Sequence, residues 1–292
     1  MVDISIALEA LGALCTGNVT SVQEQASPIN LSRGNLHVVP QQNLSIKLLI
    51  STVLDGDETC KVSRTSFYRL QSVLSDSGGA AAPALDEIDG PIEKNLIMDE
   101  EEFFDPKYHY DFTKRTDKKI YYRGGEKYER PCGWQRFALK VLDKYHGNTW
   151  LGNRSCRTQS CPGEWPVSYH GTSRKGADCI IEDHYEPGPR EVFGRGIYST
   201  PDIDEASRYA KTFTSKNGKK YKVVLQNRVN PAYRKKYKNG LYWLVPIPQG
   251  TSEAEEQAMV ERAIRPYGLL LKEVTVKKTH TKKHKKKHTK KR

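Results

Sequence analysis

The sequence predicts a mixed α+β domain. Three observations carry that expectation. Short apolar runs bounded by turn residues recur in the second half of the chain, as buried strands do. Helical patterns stand among them. The two do not alternate regularly, which argues against a doubly wound parallel sheet. With 292 residues the chain is long enough for one large domain, or one medium domain with extensions. Apolar residues make up 37%, enough for one core, and no apolar run approaches the eighteen or so residues of a membrane span. A membrane partner is therefore not expected.

In chain order, residues 1–74 mix apolar stretches (4–14, 44–54, 67–74) with polar turns. This is the pattern either of a small helical unit or of partial disorder, and the fold of this extension stays open. The N-terminus carries Asp3 and Glu9 and no basic n-region, so no signal peptide is expected. Residues 75–107, small and Pro-containing and then acidic (DEEEFFD at 99–105), read as a solvated linker.

A domain is expected over 108–272. Trp134, Phe137, Ala138, Val141, Leu142 and Tyr145 recur at helical spacing, with Gln135, Arg136, Lys140 and Lys144 opposite, which predicts an amphipathic helix. Strands are expected at Val167–Tyr169, Tyr221–Leu225, Leu241–Val245 and Tyr267–Leu271. One helix is expected from Pro201, with Thr200 as its N-cap. A second opens on the capping-box spacing of Ser252 and Glu255.

Charge is localised. The formal net charge is +12, and nine Lys and one Arg within residues 277–292 account for ten of it. The body of the chain is therefore close to neutral. Residues 273–292 are expected to be disordered, because a Lys/His tract buries nothing. The tract reads as a nuclear-localisation or nucleic-acid-binding segment that attracts phosphates by charge. The six cysteines contain no C-x-x-C pair, and Cys156 and Cys161 would be half of a zinc site with no second half. Free thiols in a reducing compartment, and no metal, are expected.

Chemistry concentrates in three short motifs: Tyr169-His170-Gly171-Thr172, Phe193-Gly194-Arg195-Gly196-Ile197-Tyr198, and Tyr209 eleven residues further on. Singly they are weak. Together, two phenol rings can sandwich a flat aromatic ring, and His170 offers a ring N–H to a ribose hydroxyl. Gly171 has no side chain, so its backbone can approach an amide closely. A flat heteroaromatic carboxamide on a ribose is the nicotinamide end of NAD⁺.

These residues resemble the diphtheria-toxin-like ADP-ribosyltransferases, in particular the poly(ADP-ribose) polymerase superfamily. The resemblance runs from YHGTSRKGADCII through FGRGIYSTPDIDEASRYA and YKVVLQNRVNP to LYWLVP and YGLLL. It implies a split, mostly antiparallel sheet gripping NAD⁺. His170 then resembles the ribose-binding histidine, Gly171 the carboxamide clamp, and Tyr198 and Tyr209 the nicotinamide-stacking tyrosines. Thr172 stands where a serine often contacts the adenine ribose. Two positions depart from the pattern. Leu241 stands where the polymerases carry a catalytic Glu, and Ala206 stands where a Ser bonds the carboxamide. The resemblance thus implies transfer of a single ADP-ribose unit to a protein or nucleic-acid acceptor, with the chain itself among possible acceptors. His170, Tyr198 and the Leu241 position would form the catalytic set. The alternatives are an inactive module that binds NAD⁺ or modified partners, and a nucleic-acid-binding protein using 277–292.

Overall fold

The computed structural model describes residues 3–25, 41–55, 94–171, 193–194, 196–248 and 250–274. Its first part comprises α1 (Ile4–Cys15), β1 (Gly17–Ser21), α2 (Val22–Gln25), β2 (Gln42–Asn43), α3 (Leu49–Asp55), β3 (Lys94–Met98) and α4 (Glu100–Phe103). Four strands follow: β4 (Tyr110–Asp111), β5 (Tyr121–Arg123), β6 (Glu126–Tyr128) and β7 (Gln135–Ala138). Then come β8 (Val167–His170), β9 (Gly196–Ser199), α5 (Ile203–Arg208), β10 (Lys211–Thr214) and β11 (Lys220–Val229). The last elements are β12 (Lys235–Tyr237), β13 (Tyr242–Pro246), α6 (Glu253–Ala263) and β14 (Ile264–Glu273). The class is α+β with mostly antiparallel sheets. No helix among the described residues is long and apolar enough to cross a membrane.

The core forms around β11 and β14. Side chains alternate between the two faces of a strand, and both faces here are apolar. Val223 lies opposite Leu271 and Leu225 opposite Leu269 on one face, while Val224 lies opposite Leu270 on the other. The first face joins the larger apolar cluster, which also takes in Leu11 and Leu14 of α1, Leu49 and Ile50 of α3, and Val260 of α6. The second face carries a smaller cluster with Trp134, Tyr169, Ile203 and Ala206. Burial on both faces explains why these strands read as nearly continuous apolar runs.

The sheet runs β10-β11-β14-β7-β4, and β8 also pairs with β11. A second sheet, β12-β13-β9, meets it at a single bridge: Tyr169 N–H donates to Thr200 O at 2.7 Å, and Thr200 N–H returns the bond at 3.0 Å. A small parallel sheet, β1-β3-β2, belongs to the N-terminal part.

Several expectations need correction. Residues 134–145 are not a helix. Gln135–Ala138 is strand β7, because both its edges are taken, by β14 and by β4. The burial pattern behind the helical reading is nonetheless real: Trp134, Phe137, Ala138, Val141 and Tyr145 are all buried, and only Leu142 is exposed. Residues 94–107 are not a linker either. Lys94–Met98 pairs as β3, and Phe103 and Phe104 of the acidic stretch are buried in the larger core. The cap of α5 is Asp202, not Thr200. Its Oδ1 accepts from Asp204 N–H at 2.8 Å and Glu205 N–H at 3.0 Å. Cys156 and Cys161 form a disulfide across five residues, with Cα atoms 5.6 Å apart, so these two are not free thiols. The capping box of α6 is present as read. Residues 275–292, all of 56–93 including Cys60, and Cys179 lie outside the described residues.

Two buried arginines tie the 149–165 loop to the sheet. Arg228 of β11 donates to Glu164 Oε1 at 2.9 Å, Trp165 O at 2.5 Å and Leu151 O at 2.7 Å. Glu164 also accepts from Cys161 N–H at 2.9 Å, beside the disulfide. The Arg265 guanidinium lies 4.4 Å from the Tyr145 and Trp165 ring centroids and 5.0 Å from Trp150. Removing one partner of a buried ion pair leaves the other charge uncompensated. Glu164→Ala is therefore expected to cost about 3 kcal/mol, measured by urea unfolding. A cost under about 1 kcal/mol would contradict a structural role for the pair.

Candidate functional site at the break in a composite strand

One edge of β11 is shared by two strands lying end to end. Thr214 to Lys211 of β10 pair with Lys220 to Val223, and His170 to Val167 of β8 pair with Leu225 to Arg228. Only Val224 separates the two registers. The chain thus leaves the edge after His170 and rejoins it at Lys211, bringing Gly171 against Tyr209 although 38 positions separate them. The contact is close. A Cβ on Gly171 would lie 2.6 Å from Ala206 O and 2.7 Å from the Tyr209 carbonyl carbon, so only glycine fits where α5 ends.

Asp202 starts α5, Ile203 and Ala206 bury against the smaller cluster, and the helix stops at Tyr209, whose N–H donates to Ala206 O at 3.1 Å. Ala206 is 1% exposed and belongs to that apolar cluster. Ser207 is turned to β11 instead, its O and Oγ accepting from Lys222 Nζ at 2.7 and 3.4 Å.

The third motif arrives through the second sheet. Tyr198 of β9 lies opposite Leu244 of β13, and Gly196 admits the close approach of β13: its φ is +153°, and a Cβ there would fall 2.1 Å from Val245 O. His170 Nδ1 lies 2.6 Å from Tyr198 O. A carbonyl only accepts, so Nδ1 carries a proton. The Tyr198 hydroxyl donates to Gly194 O at 2.6 Å and accepts from Phe193 N–H at 3.2 Å, which holds the Gly-rich turn to its own strand.

Beyond Tyr209 lies a group that the motifs did not indicate. Glu205, 9% exposed, accepts at Oε1 from the Tyr209 hydroxyl at 3.1 Å and from the Tyr242 hydroxyl. The two phenol oxygens are 3.4 Å apart. Arg208 Nη1 stands 3.4 Å from Glu205 Oε2, with its own side chain 76% exposed. Burial, followed by the carboxylate, pushes the Tyr242 phenol well above its ordinary range, and burial raises Tyr209 too. Both therefore remain donors. Phe193 stacks on Tyr237 with ring centroids 4.3 Å apart and lies 6.4 Å from the Tyr242 ring. Glu205 thus sits behind Tyr209 and Tyr242, with Phe193 and Tyr237 stacked beyond Tyr242.

The structure thus brings His170, Gly171, Tyr198 and Tyr209 together. Thr172 and Arg195 lie outside the described residues. Leu241 caps the 3₁₀ turn before β13, its N–H donating to Lys238 O at 3.1 Å. It is the next residue, Tyr242, that reaches Glu205 and Tyr209. The i, i+4 spacing of Glu205 and Tyr209 was visible in the sequence as a helix-face pair, whereas the Tyr242 contact required the fold.

A cavity of about 570 Å³ opens elsewhere, lined by Ile4, Glu100, Phe104, His109, Phe137 and Lys140 among others. None of the motif residues lines it. No protein-family model matches the chain, and no curated protein matches it in sequence.

Gly171→Ala is expected to force β8 and the end of α5 apart, at a cost of about 1–3 kcal/mol. Urea unfolding of the variant beside the unmodified protein measures it; a loss under about 0.5 kcal/mol would contradict the close approach at Gly171.

Proposed function

We propose that the break in the composite strand binds the nicotinamide end of NAD⁺, and that the protein transfers one ADP-ribose unit to an acceptor with release of nicotinamide. The observation that carries the reading is the convergence of His170, Gly171, Tyr198 and Tyr209 from two sheets and a helix onto one place. The motif resemblance and the spacing of the two tyrosines support it independently. The His170 imidazole is bonded to the backbone carbonyl of Tyr198, so the residue proposed to hold the ribose and the residue proposed to stack on the base are tied together.

In this reaction the C1′–N1 glycosidic bond breaks through an oxocarbenium-like transition state. Nicotinamide leaves with the bonding pair, and an acceptor oxygen or nitrogen bonds to C1′ and gives up its proton. Binding both ends of the bond and excluding water matter more than a strong base. That favours a site of rings and backbone clamps. Leu241 supplies no carboxylate to activate a second ribose, which supports a single transfer over chain growth.

Binding of NAD⁺ without turnover is the second reading, and the burial of Ala206 in an apolar cluster favours it, since no hydroxyl there holds the carboxamide. The Lys-rich residues 277–292 support a polyanionic partner such as nucleic acid, and a nuclear site of action.

Labelled ADP-ribose supplied as NAD⁺ tests the activity. The unmodified protein is expected to yield discrete labelled bands. Stacking on an aromatic ring is worth about 1–3 kcal/mol, so Tyr198→Ala should lose roughly tenfold or more, while Tyr198→Phe keeps the ring and most of the label. His170→Ala should lose the label as well. Full transfer by both alanine variants would overturn the reading, and a ladder of products would overturn the single transfer.

A further inference from the structure

Glu205 accepts from the hydroxyl of Tyr209, and nothing in the reading above uses it. We propose that Glu205 is a positioning residue that makes this site selective for a positively charged ring, an N-substituted pyridinium, over its uncharged dihydropyridine counterpart. The proposal rests on the nicotinamide reading and adds to it a specificity determinant on α5.

The geometry carries it in three steps. First, the carboxylate is nearly buried, and its partners are unequal. Oε1 accepts from two neutral phenols, Tyr209 and Tyr242, while the cation at Oε2, Arg208, is 3.4 Å away on a side chain 76% exposed. Phenol donors spread a negative charge without cancelling it. A solvent-facing guanidinium at that distance is screened by water. The interior side of the carboxylate therefore keeps a negative potential.

Second, Tyr209 is the ring proposed to stack on the base. A phenol whose O–H donates to a carboxylate is richer in electrons, and its face attracts a cation more strongly. Third, that ring is fixed at both ends. Its backbone abuts Gly171, and its hydroxyl is tied to Glu205 and to the Tyr242 hydroxyl 3.4 Å away. A flat ring lying on Tyr209 is thereby placed beside the carboxylate. A pyridinium gains from this placement, and a neutral dihydropyridine of the same shape does not.

The test compares the binding of NAD⁺ and NADH to the full chain by calorimetry, for the unmodified protein and Glu205→Gln. Glutamine keeps an acceptor oxygen for the phenols and removes the charge. The expected result is a roughly five- to tenfold loss of NAD⁺ affinity with NADH affinity unchanged, so that the preference for NAD⁺ collapses. Equal losses for both ligands would mean a purely structural role, and no loss for either would mean no role; each overturns the proposal. Should Glu205→Gln fail to fold, Tyr209→Phe serves, because it keeps the ring and cuts its tie to the carboxylate. It is expected to lower the preference for NAD⁺ about twofold, and an unchanged or raised preference overturns the proposal. Failure of the unmodified protein to bind NAD⁺ at all would overturn the proposed function itself. That outcome is separate from a protein that binds NAD⁺ but shows no charge preference.

Discussion

The edge of β11 is the constraint on which the rest of the site depends. Both faces of that strand are buried, so its edge is the remaining route by which polar backbone is satisfied. β8 takes one half of this edge and β10 the other. A strand in two pieces has an interior end that a continuous strand lacks. Here the end falls at His170 and Gly171, and the returning chain fills it with α5 and Tyr209. The residues that hold β11 in place thus position the site indirectly. Arg228, with Glu164 and the backbone of the 149–165 loop, anchors one end of the β8 half, and α1 and α6 close the apolar face behind it.

The chemistry follows from which side chains this arrangement brings inward. β13 contributes an aromatic hydroxyl, Tyr242, and the carboxylate comes from α5, where it is tied into two phenols instead of standing clear as a base. A buried carboxylate bound in this way is suited to setting potential and holding rings. Proton abstraction would require one of those phenol bonds to be given up. This is the physical ground for assigning Glu205 to positioning, and for the proposed transfer to rely on leaving-group departure.

The sequence makes the strand cores and the site motifs legible for a common reason. Both depend on local composition: apolar runs for β11 and β14, and glycines where backbones touch at Gly171 and Gly196. The capping box at Ser252 and Glu255 is likewise a purely local signal. The failures are nonlocal. Residues 134–145 carry a true burial pattern, but pairing of β7 with β14 decides that its first part is strand, because strand and helix periods are hard to separate over a short apolar stretch. The acidic segment at 99–105 reads as linker because its charges are numerous, yet Phe103 and Phe104 anchor it to the core. The Glu205–Tyr242 contact joins residues 37 apart across two elements, and no spacing rule reveals it. The proton on His170 Nδ1 is held by a carbonyl 28 residues away.

Hydrogen–deuterium exchange with and without NAD⁺ tests the central claim most directly, because it reports where the ligand sits independently of any reaction. Ligand-dependent protection is predicted in residues 168–171, 196–199 and 205–211 together, the three segments that meet at the break along β11. Absence of protection there, or protection confined to the groove between Ile4 and Lys140, would contradict the account.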